Sequence, residues 1–294
     1  MGLIADLIPL NLEAEKQQFF ARGGNYNPQF VYSREFSDKK MHNYGYPQES
    51  FYQLAVAHLQ THAKNPKPRS EPVLTWPQIE AQVHDLCAQL NITPIKVVAA
   101  KQQGSRFAVT TSGELSVGWP LEITASHLQT VLNHEIQTHY LRRLNDAKQP
   151  WHEQTVSRVR KWKRTEEGLA VYNSKGDNNT DLRSTAHLYT MVYQAQSHDF
   201  ATIYRLNLDF FHDQEHAFSQ TLRVKRGLTD TSQPGGFTKD IVYWEGYLQV
   251  KDWLADPAHQ LKDLYWGKIG TQEVEELRPI AVTTGLIYPT FIKN

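Results

Sequence analysis

A single cysteine, Cys87, stands in 294 residues, so no internal disulfide can form and no cysteine-ligated structural zinc is available. Such sparing use of thiols fits a reducing compartment. Charge of one sign is equally lacking: 31 Lys and Arg balance 31 Asp and Glu, for a formal net charge of zero. That balance argues against a nucleic-acid partner or an anionic membrane surface. No apolar run approaches the roughly 18 residues of a membrane span. The apolar start, Met1 to Leu10, is brief, has no basic stretch and is interrupted by Asp6, which argues against a signal peptide. Internal repeats and low-complexity tracts are absent too. The expectation is a soluble, cytoplasmic protein whose length suffices for one large domain or two modest ones.

What the chain does have is His134-Glu135-Ile136-Gln137-Thr138-His139, inside a run where Leu128, Val131, Leu132, Ile136, Tyr140 and Leu144 recur at helical spacing. A helix carrying His-Glu and a second His is a common seat for catalytic zinc. Here the histidines lie one residue further apart than in the common metalloprotease motif. A five-residue step turns an α-helix by about 140°, which would aim the two imidazoles apart. The spacing therefore predicts a π-bulge between them, a feature found mostly at functional sites. A second helical segment, Val156 to Tyr172, carries Glu166-Glu167-Gly168-Leu169-Ala170, with Glu167 28 residues beyond His139. A third ligand from such a following helix completes a His-His-Glu site, and the small Gly168 and Ala170 would let this helix pack closely on the first. Glu135, directly after the first ligand, is the candidate general base.

These motifs, with Arg223-Val224-Lys225-Arg226-Gly227-Leu228 and Phe237-Thr238-Lys239-Asp240, resemble the microtubule-associated tyrosine carboxypeptidase family. Its bacterial members are labelled flavohaemoglobin expression-modulating QEGLA-motif proteins. The likeness runs from about Asn25 to the C-terminus. It implies Zn2+ held by His134, His139 and Glu167, with Glu135 as the catalytic glutamate. Gln137 stands where the family usually has Gly, and Glu166 where the label has Gln. The fold expected is α+β and predominantly helical, zincin-like, with a small sheet preceding the His-Glu-x-x-x-His helix.

Along the chain, helical spacing covers Leu10 to Ala21 and Ser50 to Ala63. The proline-broken stretch Lys64 to Pro72 is the best linker, dividing an N-terminal segment, 1–70, from a catalytic domain, 71–294. Thr75-Trp76-Pro77 opens the next helix. Ile95 to Ala100, Phe107 to Thr111 and Leu115 to Val117 read as strands, the last two joined in a hairpin at Ser112-Gly113. An edge strand here could accept an extended peptide, or the strands could simply cover one side of the helices. From Thr124 onward the chain reads as helices, most clearly Asn179 to Ser197, Asp199 to Phe211, Glu215 to Arg226 and Thr238 to Leu254.

A carboxypeptidase must grip a free C-terminal carboxylate, for which arginine's planar fork is suited. Arg223 and Arg226, then Lys225, are the candidates, against the plainer reading of cations complementing a helix end. Tyr243 is the candidate oxyanion donor among many tyrosines. His212, Asp213 and His216 read as structural, and the basic run Val159 to Arg164 as a solvated helix face. The leading functional reading is a zinc peptidase, and the resemblance implies that it removes a C-terminal residue, an aromatic one such as tyrosine, from a peptide or protein. A zinc hydrolase of another amide or ester, and a non-catalytic regulatory protein of the same fold, stay open.

Overall fold

The first part of the chain forms α1 (Leu12–Ala21), α2 (Asp38–Met41) and α3 (Glu49–Thr61). Next come α4 (Trp76–Gln89), the strands β1 (Val97–Ala100), β2 (Phe107–Val109) and β3 (Leu115–Gly118), and then α5 (Ala125–His134). A π turn, Glu135–Tyr140, carries α5 on into α6 (Leu141–Asp146), and α7 (Val159–Lys175) follows. After it come α8 (Arg183–Ala195), α9 (Phe200–Phe211), α10 (Gln214–Lys225), α11 (Ile241–Leu254) and the short α12 (Val274–Leu277). This computed structural model describes residues 6–62, 71–100, 107–175 and 182–292. The fold is α+β and mostly helical, as the sequence leads one to expect. None of the described helices is long and apolar enough to cross a membrane.

Two compact units make up the chain. The first joins Met1–Lys64 to Asn179–Trp244, and the second joins Asn65–Asn178 to Glu245–Asn294. The expected division at 70 falls in a linker most of which lies outside the described residues. Residues 179–244 group with the N-terminal segment.

In the second unit, α4 opens on a reciprocal cap: the Thr75 N–H and hydroxyl both donate to Gln78 Oε1, at 2.8 and 2.9 Å. β3 lies in the middle of the sheet, parallel to β1 (Val97 opposite Leu115) and antiparallel to β2 (Phe107 opposite Val117). The β2–β3 hairpin closes with Thr110 N–H donating to the Glu114 carbonyl at 2.9 Å, and Gly113 supplies the positive φ of 89° that the turn needs. Leu115 and Val117 face a core shared with Ile79, Val83 and Leu86 of α4. Leu128, Leu132, Ile136, Leu141 and Leu169 complete it from α5, the π turn, α6 and α7. At about 2 kcal/mol for each fully buried aliphatic side chain, this face fixes how α5 and α7 sit against the sheet.

In the first unit, Phe19, Phe30, Phe200, Tyr204 and Phe218 form an aromatic core, with Phe19 meeting Phe200 edge-on at 5.3 Å. Asp199 caps α9 by accepting the Thr202 N–H at 2.9 Å. His212 ends the same helix at a φ of 56°, and Asp213 caps α10 through the His216 N–H at 2.8 Å. The His212-Asp213-His216 cluster therefore has the structural role expected of it.

Candidate metal site

The extra residue between the histidines is absorbed where the spacing predicts, in the π turn Glu135–Tyr140. Leu141 N–H reaches back five residues to the Ile136 carbonyl, where an α-helix would take Gln137. With the turn wound wider, the two imidazoles face each other, ring centroids 4.9 Å apart. Gln137 does not crowd the site. Its buried side chain donates to Asn133 Oδ1 at 2.7 Å and accepts the Thr290 N–H and hydroxyl at 2.7 and 2.9 Å.

α7 brings Glu167 to the same place. Glu167 Oε2 lies 3.8 Å from His134 Nε2 and 3.5 Å from His139 Nε2, and the three ligand atoms all fall within 4.8 Å of one another. A tetrahedral zinc with bonds of about 2.05 Å sets its ligand atoms about 3.4 Å apart, so these side chains fit the ion with little movement. Lys163, one turn earlier on α7, pairs with the other oxygen, Glu167 Oε1, at 2.5 Å. Only one oxygen is thus turned toward the histidines. Gly168 does allow a close helix approach, but its neighbour is Gly246 of α11: a Cβ on Gly168 would lie 2.0 Å from the Gly246 carbonyl carbon. Helix α7 does pack on α5, as expected, but Gly168 itself faces α11.

Charge follows from burial and neighbours. Burial, helped by His139, depresses the His134 pKa to about 3, leaving the ring neutral as a metal ligand must be. For His139 burial works the same way, but the carboxylates of Glu167 and Glu166 override it and raise the pKa to about 9. Glu135 Oε1 stands 4.0 Å from His134 Nε2, and its Oε2 accepts the Val109 N–H of edge strand β2 at 3.4 Å. Burial raises the Glu135 pKa, the direction wanted for a carboxylate that takes up and returns a proton near neutrality.

Behind the ligands lie residues the sequence did not single out. Glu166 Oε1 accepts from His139 Nδ1 at 2.9 Å and pairs with Lys268, while its Oε2 pairs with the fully buried Arg142. Burial opposes that charge, yet Lys268 and Arg142 hold the Glu166 carboxyl well below its usual range. Arg142 also donates to the Leu264 carbonyl at 2.8 Å and the Ile269 carbonyl at 2.6 Å. The Thr138 hydroxyl donates to the Asn133 carbonyl at 2.8 Å, and Asn173 Nδ2 bonds both Thr138 Oγ1 and Tyr265 Oη at 2.8 Å. Thr138 was visible within the motif, but Lys268 lies 102 residues from Glu166 in sequence and no local spacing announces it.

The other named candidates belong to the first unit. Arg223 makes a bidentate pair with the buried Asp240, Nε to Oδ2 at 2.7 Å and Nη2 to Oδ1 at 2.9 Å. Arg226 lies over the Phe237 ring and 4.0 Å from Asp240 Oδ2. Arg223 also stands over the Tyr243 ring, 5.8 Å from its centroid. Lys225 is a correction: it is fully buried, and its ammonium donates to the His198 and Gln233 carbonyls at 2.8 and 2.7 Å. Those bonds hold the 226–236 loop, so Lys225 has no surface to offer a substrate. The basic run of α7 lies at the surface, as expected: Arg160 and Lys161 are exposed, and Arg164, paired with buried Glu245 at 2.9 Å, keeps 39% of its side chain in solvent.

The sequence profile of the microtubule-associated tyrosine carboxypeptidases matches residues 29–294. The human protein MATCAP2 is 31% identical over 99% of this chain and 49% of its own length. The mouse microtubule-associated tyrosine carboxypeptidase 1 is 29% identical over 99% of this chain and 65% of its own. Its human counterpart is 28% identical over the same shares. The chain thus spans between half and two thirds of the length of these relatives. By a profile match over nearly its whole length, the chain belongs to the microtubule-associated tyrosine carboxypeptidase family.

Proposed function

We propose that this chain is a zinc-dependent, zincin-like carboxypeptidase that removes a C-terminal residue, tyrosine foremost, from a peptide or protein in the cytoplasm. The convergence of His134, His139 and Glu167 beside Glu135 carries the reading. The direction of attack and the tyrosine preference rest on the names of the relatives.

When bound, zinc supplies a Lewis acid that brings the pKa of water down toward about 7 and polarises a carbonyl oxygen. The rest falls to the chain. His134, His139 and one oxygen of Glu167 would hold the ion. Glu135 accepts a proton from the attacking water and returns it to the departing amine at Oε1 or Oε2, a shuttle its raised pKa favours. β2 is an edge strand, and the Val109 N–H fixes one Glu135 oxygen at its rim. Arg223, with its guanidinium held by Asp240, is the first candidate to bind the substrate carboxylate. Tyr243 remains the proposed oxyanion donor.

The test is mass spectrometry of a diverse peptide pool treated with wild type and Glu135→Gln, alongside metal analysis. Wild type should carry about one zinc and release single C-terminal residues. Glu135→Gln should keep the metal and lose about 1,000-fold in turnover, in the middle of the 10²–10⁴ range that general acid–base groups supply. Glu167→Ala should weaken zinc binding. Uncut pools from zinc-loaded wild type would remove the peptidase reading.

A further inference from the structure

The π turn that makes the metal site possible also leaves a backbone group without its ordinary partner. In a continuous α-helix the Leu141 N–H would bond the Gln137 carbonyl, four residues back. It is shared between the Ile136 and Thr138 carbonyls instead, and the Tyr265 hydroxyl takes its place on Gln137 at 2.8 Å. Tyr265 is fully buried and accepts Asn173 Nδ2 at 2.8 Å, so its proton is directed at that carbonyl. Three residues further on, Lys268 pairs with Glu166 Oε1, the atom that also faces His139 Nδ1. With Nδ1 as donor to Glu166, the lone pair of His139 sits on Nε2, the nitrogen that faces Glu167. Arg142 ties this short segment down at both ends through the Leu264 and Ile269 carbonyls.

We infer that residues 264–269 position the metal ligands: the Tyr265 hydroxyl holds the carbonyl displaced by the π turn, and Lys268, acting through Glu166, orients the His139 ring. Both are positioning residues, since neither touches the ion or a substrate. A helix that reverted to α winding would turn His139 away from His134. A ring freed from Glu166 would lose its fixed tautomer. Sequence separation hides this element completely, because it sits more than a hundred residues from the histidines.

This inference rests on the metal reading above, and the experiment separates the two. Full-length wild type, Tyr265→Phe, Lys268→Met and Glu166→Gln are titrated with zinc against a chromophoric chelator, and the cobalt(II) forms are compared by visible absorption. Tyr265→Phe and Lys268→Met should each weaken zinc binding by about 10-fold or more, in the range usual for groups that orient ligands. Their cobalt bands should change in intensity or position, which a loss of general stability would not cause. Lys268→Met combined with Glu166→Gln should bind zinc little worse than the weaker single variant, because Lys268 acts mainly through that carboxylate, its other bond being the longer one to the His139 carbonyl at 3.5 Å. Variants with wild-type circular dichroism, zinc affinity within twofold and unchanged cobalt spectra would overturn the inference. Wild type that binds neither metal would instead overturn the metal reading. Should Tyr265→Phe not fold, the Lys268 and Glu166 variants decide the outcome by the same measurements.

Discussion

Arg223 is tied to buried Asp240 by two parallel hydrogen bonds, yet 36% of its side chain stays in solvent. A guanidinium held this way has a fixed direction, which is what recognition of a planar carboxylate needs. If it grips the substrate C-terminus, Arg223→Ala should raise KM for free-acid peptides about 10-fold or more and leave C-terminally amidated peptides nearly unaffected. The same change leaves Asp240 only the more distant Arg226, at a cost of about 2 kcal/mol, less than for a fully buried pair because Arg223 is partly exposed. Adding Asp240→Asn should recover stability without recovering the free-acid preference. Equal losses on acid and amide would leave Arg223 only its ion pair. The contrast with Lys225 shows what single residues disclose. Two histidines and two glutamates were legible because metal chemistry accepts few residue types at few spacings. Burial of the Lys225 ammonium against two loop carbonyls obeys no such rule, so its charge looked available until the loop was seen to close on it.

At the scale of elements, helix periodicity placed α5, α7 and α8 to α10 to within a few residues. The five-residue histidine step also announced the π turn, because an α-helix cannot bring those rings together. Contacts between elements were less legible. Gly168 signals a close approach, but only the fold shows that it meets Gly246, where a Cβ would fall 2.2 Å from the Arg164 carbonyl oxygen. The α7–α11 crossing is thus made by two glycines placed backbone to backbone. Gly168→Ala should cost about 3 kcal/mol in urea unfolding, at the upper end for overpacking, since backbone cannot yield as a side chain can. Because Glu167 is the adjacent residue, zinc affinity should fall with it. A Gly168→Ala protein with wild-type unfolding and zinc affinity would show that α7 shifts without disturbing its ligand.

For the whole molecule, a neutral charge and a balanced composition reveal nothing of how the chain divides. Nothing in the local pattern marks residues 179–244 as partners of the N-terminal segment, since that grouping is made by contacts far apart in sequence, such as Asn27 with Asp199. The metal site, by contrast, lies wholly within the second unit. A ligand that binds only the folded form stabilises what it touches, by about 2.7 kcal/mol at 100 times its Kd. Stripping zinc with a chelator should therefore speed amide hydrogen exchange up to about 100-fold in Glu135–Tyr140, around Glu167 and in residues 264–269. Amides of α9 and α10, in the first unit, should keep their rates. A uniform rise across both units would mean that the metal supports the folding of the entire chain. No change near residues 264–269, beside a clear change at Glu135–Tyr140, would mean that the segment holds its shape without reference to the ion it helps to seat.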